Sequence, residues 1–199
     1  FINDGSSDDT LTMIQKEAKK NSSIAYINLS RNFGKETGML AGFDYAKGDA
    51  VVIIDADLQD PPELIPQMIE LWEQGYDDVY ARRRSRQGET WLKKKTSEWY
   101  YRILQKSTRI PIQRDTGDFR LLDRRCVEAL KLLRESQRNT KALFSWIGFN
   151  KKELLYDRDP RAAGDTKWNY SKLVNLAIDG ITSFTTAPLR MSSILGMII

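Results

Sequence analysis

"AVVIIDADLQDPPELI", Ala50 to Ile65, is the stretch whose reading decides the fold. Its opening apolar run reads as a strand covered on both faces, because a half-exposed strand would alternate. The run passes straight into Asp55, Asp57 and Asp60, then Pro61 and Pro62. Asp60 just ahead of the prolines predicts a capped helix that begins there and stops near Gly75. Like charges that close repel one another and resist desolvation, so something cationic is expected between them.

Working outward, the flanks repeat the alternation. "FIN" reads as a strand end ahead of Asp4. Asp8 or Asp9 can cap a helix over "DTLTMIQKEAKK". "IAYINL" is the next strand, followed by a helix from about Lys35 to Lys47 that Gly48 can end. "DVYA" is a further strand. The order βαβα predicts an α/β fold, a mostly parallel sheet with helices on both faces. Ligands of such sheets bind beyond the carboxyl ends of the strands, where Asp4, Asp55, Asp57 and Arg82 fall. The second half is less regular: "FRLLD" reads as a strand, "RRCVEALKLL" as a helix, "KKELLYD" as a strand and "RDPRAAGDTKWN" as a polar loop.

Composition narrows the chemistry. The chain has 199 residues, no histidine and one cysteine. That size suits one domain. Ser-His-Asp and Cys-His catalysis are excluded, as are histidine-based zinc sites. Any general base is Asp, Glu, Lys or Tyr, and any metal is a hard cation held by oxygens. Cys126 is expected as a small buried hydrophobe. The sequence starts at Phe1 and stops at Ile199 within an apolar run, so both ends are expected to be cut from a longer protein.

The net charge of +4 is unevenly spread. Arg82, Arg83, Arg84, Arg86, Lys93, Lys94, Lys95, Arg102, Lys106 and Arg109 face only Glu89 and Glu98 in the same segment. This suits phosphates, whether of nucleic acid, lipid headgroups or a substrate, and equally suits a solvated face. A helical wheel of about 100° per residue over Trp91–Leu104 groups Leu92, Trp99, Tyr100, Ile103 and Leu104 on one arc. Lys94, Lys95, Glu98 and Arg102 lie opposite, while Lys93 and Ser97 lie on the apolar side, one turn apart. The pattern fits a membrane-interface helix, over about residues 90–106, or an amphipathic helix packed on the sheet. Residues 184–199 become steadily more apolar. The run after Arg190 is shorter than the about 20 residues a bilayer needs, and fits the start of a transmembrane segment or a buried helix.

Asp55-x-Asp57 at a strand end can hold Mg²⁺ or Mn²⁺, with Gln59 adding an amide oxygen. Helix capping explains Asp60 well and Asp57 poorly. In "NDGSSDDT", Asp4 can accept hydrogen bonds from a base or ribose while Gly5 lets backbone approach, with Ser6 alongside. A turn plus helix cap explains that segment as well.

Together, "NDGSSDDT", "LSRNFGKETGMLAGFDYAKGD", "DADLQDPPE", "TGDFRLLDR" and "AGDTKW" resemble the family 2 glycosyltransferases. Within them the chain is similar to the polyprenyl-phosphate type, the bactoprenol glucosyltransferases and dolichol-phosphate mannose synthases. The resemblance implies a GT-A fold over residues 1–183, a nucleotide-sugar donor, Mg²⁺ or Mn²⁺, and an isoprenoid phosphate acceptor. It places the catalytic domain on the cytoplasmic face of a membrane, expected to be a bacterial inner membrane. By position, Asp4, Gly5, Ser6, Lys35 and Asp55 bind the nucleotide sugar, and Asp57, Asp55 and Gln59 hold the metal. Asp118 faces sugar and acceptor and, with Asp57, is catalytic. Arg82, Lys93, Ser97, Arg161 and Lys167 surround the acceptor phosphate. Two departures are visible: Asn3 occupies a place where the family often has a second Asp, and the first strand, with its Pro-x-Tyr-Asn-Glu motif, is not in the sequence.

The activity so implied is inverting transfer of a sugar, glucose favoured, from a UDP-sugar to a polyprenyl phosphate such as undecaprenyl phosphate. A processive polysaccharide synthase of the same family is a rival, although "QKSTR" at Gln105 departs from its Q-x-x-R-W motif in spacing and lacks the Trp. A non-catalytic basic module on membranes or nucleic acid is another, and it leaves Asp55, Asp57 and Asp118 without a reason. The favoured reading has no nucleic-acid partner and leaves homo-oligomerisation open.

Overall fold

The computed structural model describes residues 1–84, 116–135, 139–157, 192–194 and 196–197. In chain order its elements are β1 (Ile2–Asn3), α1 (Thr10–Lys20), β2 (Ile27–Asn28), α2 (Lys35–Tyr45) and β3 (Ala50–Ile53). A 3-10 turn (Pro62–Leu64) then runs into α3 (Ile65–Glu73), followed by β4 (Asp78–Arg83) and β5 (Thr116–Asp123). The chain continues through α4 (Arg124–Leu132), α5 (Thr140–Trp146) and β6 (Lys151–Tyr156).

The main sheet has the order β3-β5-β4-β6, and β1 pairs with β2 in a separate parallel ladder. β4 and β6 are parallel, but β5 runs antiparallel to both β3 and β4. The expectation of a mostly parallel sheet is therefore corrected at its centre. An apolar run shows that a strand is buried, but periodicity carries no direction. The reversal matters for function, because it brings the start of β5 to the edge where β3 and β4 end.

Helices cover both faces, as the alternation predicts. Along β5, Phe119 and Leu121 join Met68, Val79, Ala81 and Tyr156 beneath α3. Leu122 joins Met39, Phe43, Cys126, Val127, Leu130, Leu143 and Phe144 beneath α2, α4 and α5. Each Val, Leu, Phe or Met side chain buried there contributes about 1.5–3 kcal/mol. Cys126 is buried as expected, and burial pushes its thiol up to about 12. α2 lies close to β1 because its glycines face Ile2: a Cβ on Gly42 would stand 2.7 Å from Ile2 Cδ1.

Several boundaries differ from the sequence reading. α2 ends at Tyr45, before Lys47 and Gly48, with Ala46 already extended. Asp60 does not cap α3, whose first turn has no side-chain cap. α4 has the capping the chemistry favours: the Asp123 carboxylate accepts the Arg125 N–H at 2.8 Å and the Trp72 indole N–H at 2.8 Å. α5 was not foreseen.

Among the described residues one charged pair is fully buried. Arg120 Nη1 donates to Asp78 at 3.0 and 3.2 Å, and its guanidinium lies 3.7 Å over the Phe144 ring. Lys151 Nζ is 3.7 Å from the same carboxylate. Burial pushes the Asp78 carboxyl up, against the opposing charges of Arg120 and Lys151.

The expected interface helix and most of residues 184–199 lie outside the described residues. Among the described residues no helix is long and apolar enough to cross a membrane.

Candidate active site

Asp4 leaves the end of β1, and its two oxygens accept the backbone N–H groups of Phe33 at 2.7 Å and Gly34 at 2.8 Å. Gly5 has φ of +70°, and a Cβ there would fall 2.4 Å from Asn32 N and 2.5 Å from Arg31 C. Both are backbone atoms and neither can give way, so this position requires glycine. The Asp4-Gly5 pair thus clamps residues 31–34 against β1. Asn3 supports the clamp from below, donating to Asn28 Oδ1 at 2.7 Å and accepting the Ser6 N–H at 3.3 Å.

The clamp fixes where α2 begins, and Lys35 is its first residue. Lys35 Nζ lies 2.7 Å from Asp55 Oδ1, 2.8 Å from Asp55 Oδ2 and 2.6 Å from Asp118 Oδ2. The register explains the meeting. The ladder ends at the Ile53–Arg120 pair, and Asp55 and Asp118 each lie two residues past it on the same edge. Like charges brought so close repel one another. The acidic run predicts a cation among Asp55, Asp57 and Asp60; the cation found is Lys35, which touches Asp55 of that run and Asp118 of β5. Burial pulls the Lys35 ammonium down, but Asp118 and Asp55 outweigh it and the net shift is upward. Burial pushes the Asp118 carboxyl up, yet the charges of Lys141 and Lys35 outweigh it and Asp118 is held below the usual carboxylate range.

Asp118 is buried, and its Oδ1 has no hydrogen-bond partner among the described residues. An unsatisfied buried acceptor is costly, so such an atom calls for a functional reason.

Beyond Asp55 the loop turns sharply. Leu58 has φ of +57°, a conformation costing a non-glycine residue about 1–2 kcal/mol. The turn lets the Gln59 N–H reach back to Asp57 Oδ1 at 3.3 Å. Asp60, expected as a helix cap, instead accepts the Tyr156 hydroxyl at 2.5 Å in the interior. This anchors the acidic loop to the end of β6.

Among the described residues no cluster of three or more His, Cys, Asp or Glu could hold a metal by protein alone. The donor set nevertheless fits Mg²⁺ or Mn²⁺ bound together with a diphosphate, since such ions take one or two carboxylates and fill their remaining positions with phosphate oxygens and water. Asp57 and Gln59 offer hard oxygens on one partly exposed turn, while Asp55 is turned toward Lys35.

Lys35, Asp55 and Asp118 are thus in direct contact. Asp4 acts on them through the 31–34 segment, and Asp57 and Gln59 follow on the same loop as Asp55. Arg82, at the end of β4, has a partner the sequence did not suggest, Glu153 of β6 at 2.7 Å. Lys93, Ser97, Arg161 and Lys167 lie outside the described residues. Sequence reasoning missed Lys141, Glu153 and Tyr156, which have no motif around them and come to the site through tertiary packing, Lys141 from α5 and the other two from β6.

Parallel strands ending on ligand-side carboxylates, with an antiparallel strand returning another carboxylate to the same edge, define a GT-A-like α/β fold. The chain belongs to glycosyl transferase family 2, whose family model matches residues 1–131. It is 53% identical over 198 residues to an uncharacterised glycosyltransferase of Synechocystis, covering 100% of this chain and 62% of the relative. It is 45% identical over 199 residues to a prophage bactoprenol glucosyl transferase homolog of Escherichia coli, covering 100% of this chain and 65% of the relative. The chain therefore spans less than two thirds of the length of these curated relatives. Among solved structures, a mycobacterial protein superposes with a TM-score of 0.56 at 18% identity, over 88% of this chain and 59% of its own. Glucosyl-3-phosphoglycerate synthase from Mycobacterium tuberculosis, crystallised with Mn²⁺ and UDP-glucose, gives 0.52 at 17% identity, over 88% and 62%. At these identities the structural likeness speaks for the fold alone.

Proposed function

We propose that this protein is an inverting glycosyltransferase that moves a sugar, glucose favoured, from a UDP-sugar to a polyprenyl phosphate at the cytoplasmic face of a membrane. The observation that carries the reading is Asp118: a buried carboxylate held in its charged form by Lys35 and Lys141, with one oxygen that has no hydrogen-bond partner among the described residues. The identity with bactoprenol glucosyl transferases supports the choice of sugar and acceptor.

Asp118 orients the acceptor. A phosphate monoester has a second pKa of about 6, so it is mostly dianionic at neutral pH and needs little deprotonation. This suits a chain without histidine. Lys35 and Lys141 offset the repulsion between Asp118 and the two anionic substrates. Asp4, Gly5 and Ser6 form the nucleoside side of the site. Asp57 and Gln59, with Asp55, would hold Mg²⁺ or Mn²⁺. The ion, when bound, neutralises charge building on the departing diphosphate. Arg82, Lys93, Ser97, Arg161 and Lys167 hold the acceptor phosphate close to the donor, which converts an encounter of two anions into a positioned displacement. A single displacement inverts the anomeric centre.

The test is to incubate membranes carrying the protein with polyprenyl phosphate and a panel of nucleotide sugars, and to read the lipid product by mass spectrometry. A hexosyl phosphate lipid formed from UDP-glucose is the expected result. Failure of every nucleotide sugar to yield a glycolipid refutes the reading.

A further inference from the structure

Two carboxylates, Asp55 just past β3 and Asp118 in β5, share one ammonium, Lys35, at the ligand-side edge, and the charge of Lys141 also acts on Asp118. The two carboxylates differ in surroundings. The Asp118 side chain is 10% exposed and the Asp55 side chain 33%, while the Lys35 side chain is 47% exposed. The ammonium therefore has one deeply set partner and one nearer solvent. Its stem is flexible and starts from a backbone position that Asp4 and Gly34 hold in place. Moving the head group by a rotamer change needs no repacking of the core.

Asp55 is followed on its own loop by Asp57, which places it where a divalent ion carried by a diphosphate is also drawn. An ammonium held on both Asp55 oxygens and a divalent ion cannot share that carboxylate at full strength. We propose that Lys35 is a built-in counter-ion that competes with the divalent ion for Asp55. As the donor arrives, the ammonium leaves Asp55, keeps its contact with Asp118 and takes up the donor's diphosphate. This deepens the glycosyl-transfer reading and rests on it. Before the donor binds, Lys35 stabilises the two carboxylates and weakens capture of the ion by itself. Once a diphosphate is present, the same ammonium has a second anion to bind, so ion and donor enter together.

The decisive measurement uses Mn²⁺ alone, followed by electron paramagnetic resonance, and UDP alone in EDTA, followed by calorimetry. Lys35→Met keeps the stem and removes the charge. It is expected to bind Mn²⁺ about tenfold more tightly than the unaltered protein, because a cation a few ångströms away is gone. The same variant is expected to bind UDP more weakly, and Lys35→Arg to return both values toward those of the unaltered protein. The opposite signs set this apart from structural damage, which weakens both. Lys35→Gln supplies the same comparison where the methionine variant does not fold. Unchanged or weaker Mn²⁺ binding in the neutral variants overturns the competition, and unchanged UDP binding overturns the transfer to diphosphate. Either result in a protein that still makes glycolipid leaves the glycosyltransferase reading intact, whereas an unaltered protein that makes none refutes that reading instead.

Discussion

Tyr156→Phe removes one oxygen from the interior and keeps the ring. The ring retains its edge-on packing against Phe119, at 6.3 Å between centroids. What disappears is the hydroxyl donated to Asp60 Oδ1 at 2.5 Å. Burial pushes that hydroxyl up to about 12, and the hydrogen bond and charge of Asp60 add to the effect against Arg83, so it remains a donor across ordinary pH. Hydrogen bonds to charged groups contribute about 1.5–3 kcal/mol. Tyr156 and Asp60 are 4% and 3% exposed, so solvent cannot replace the lost donor easily and the upper half of that range applies. The expected loss is about 2–3 kcal/mol, read as a lower urea midpoint at unchanged slope. Asp60 also closes the loop that carries Asp57 and Gln59, so Mn²⁺-dependent UDP binding is expected to weaken severalfold. A stability loss below about 0.5 kcal/mol, the ordinary range for surface changes, together with unchanged UDP affinity would refute the anchoring role.

Arg120→Met is expected to cost about 3 kcal/mol in urea unfolding, near the lower end for breaking a buried pair, because Lys151 still faces Asp78; a loss under about 1 kcal/mol contradicts this. Gly5→Ala is expected to be much more damaging than Gly75→Ala in thermal unfolding. Both have positive φ, but only at Gly5 does a Cβ meet backbone, so equal losses would exclude the clash. Asp118→Asn is expected to lower transfer by about two orders of magnitude or more while leaving UDP binding nearly intact, as for a contact made chiefly in the transition state. A parallel fall in UDP affinity assigns Asp118 to the donor site.

The strands and helices on either side of the acidic loop were legible because their signals are local. Apolar runs, caps and prolines act over a few residues, and the βα alternation follows from them. The expectation of a hard-oxygen site is local in the same way, since Asp55, Asp57 and Gln59 share one short stretch and the chain has no histidine to compete. The acidic run predicts a cation among its own three carboxylates, whereas Lys35 joins Asp55 to Asp118 on another strand. Nothing local distinguishes Lys35 from other lysines, and nothing in "TGDFRLLD" states that its strand runs backward between two others.

Those facts belong to the tertiary structure. Antiparallel insertion of β5 brings Asp118 to the edge where Asp55 lies, and the clamp of Asp4 on residues 33 and 34 delivers Lys35 to both. The same holds for Asp60, which local capping rules assign to a helix start. A hydroxyl 96 residues away claims it instead, because a buried carboxylate is stabilised more by an interior donor than by a helix end it does not reach. Residue type and spacing determined which chemistry was available, since both act within a turn of chain. Register and packing, which depend on backbones far apart in sequence, decided which charges face one another.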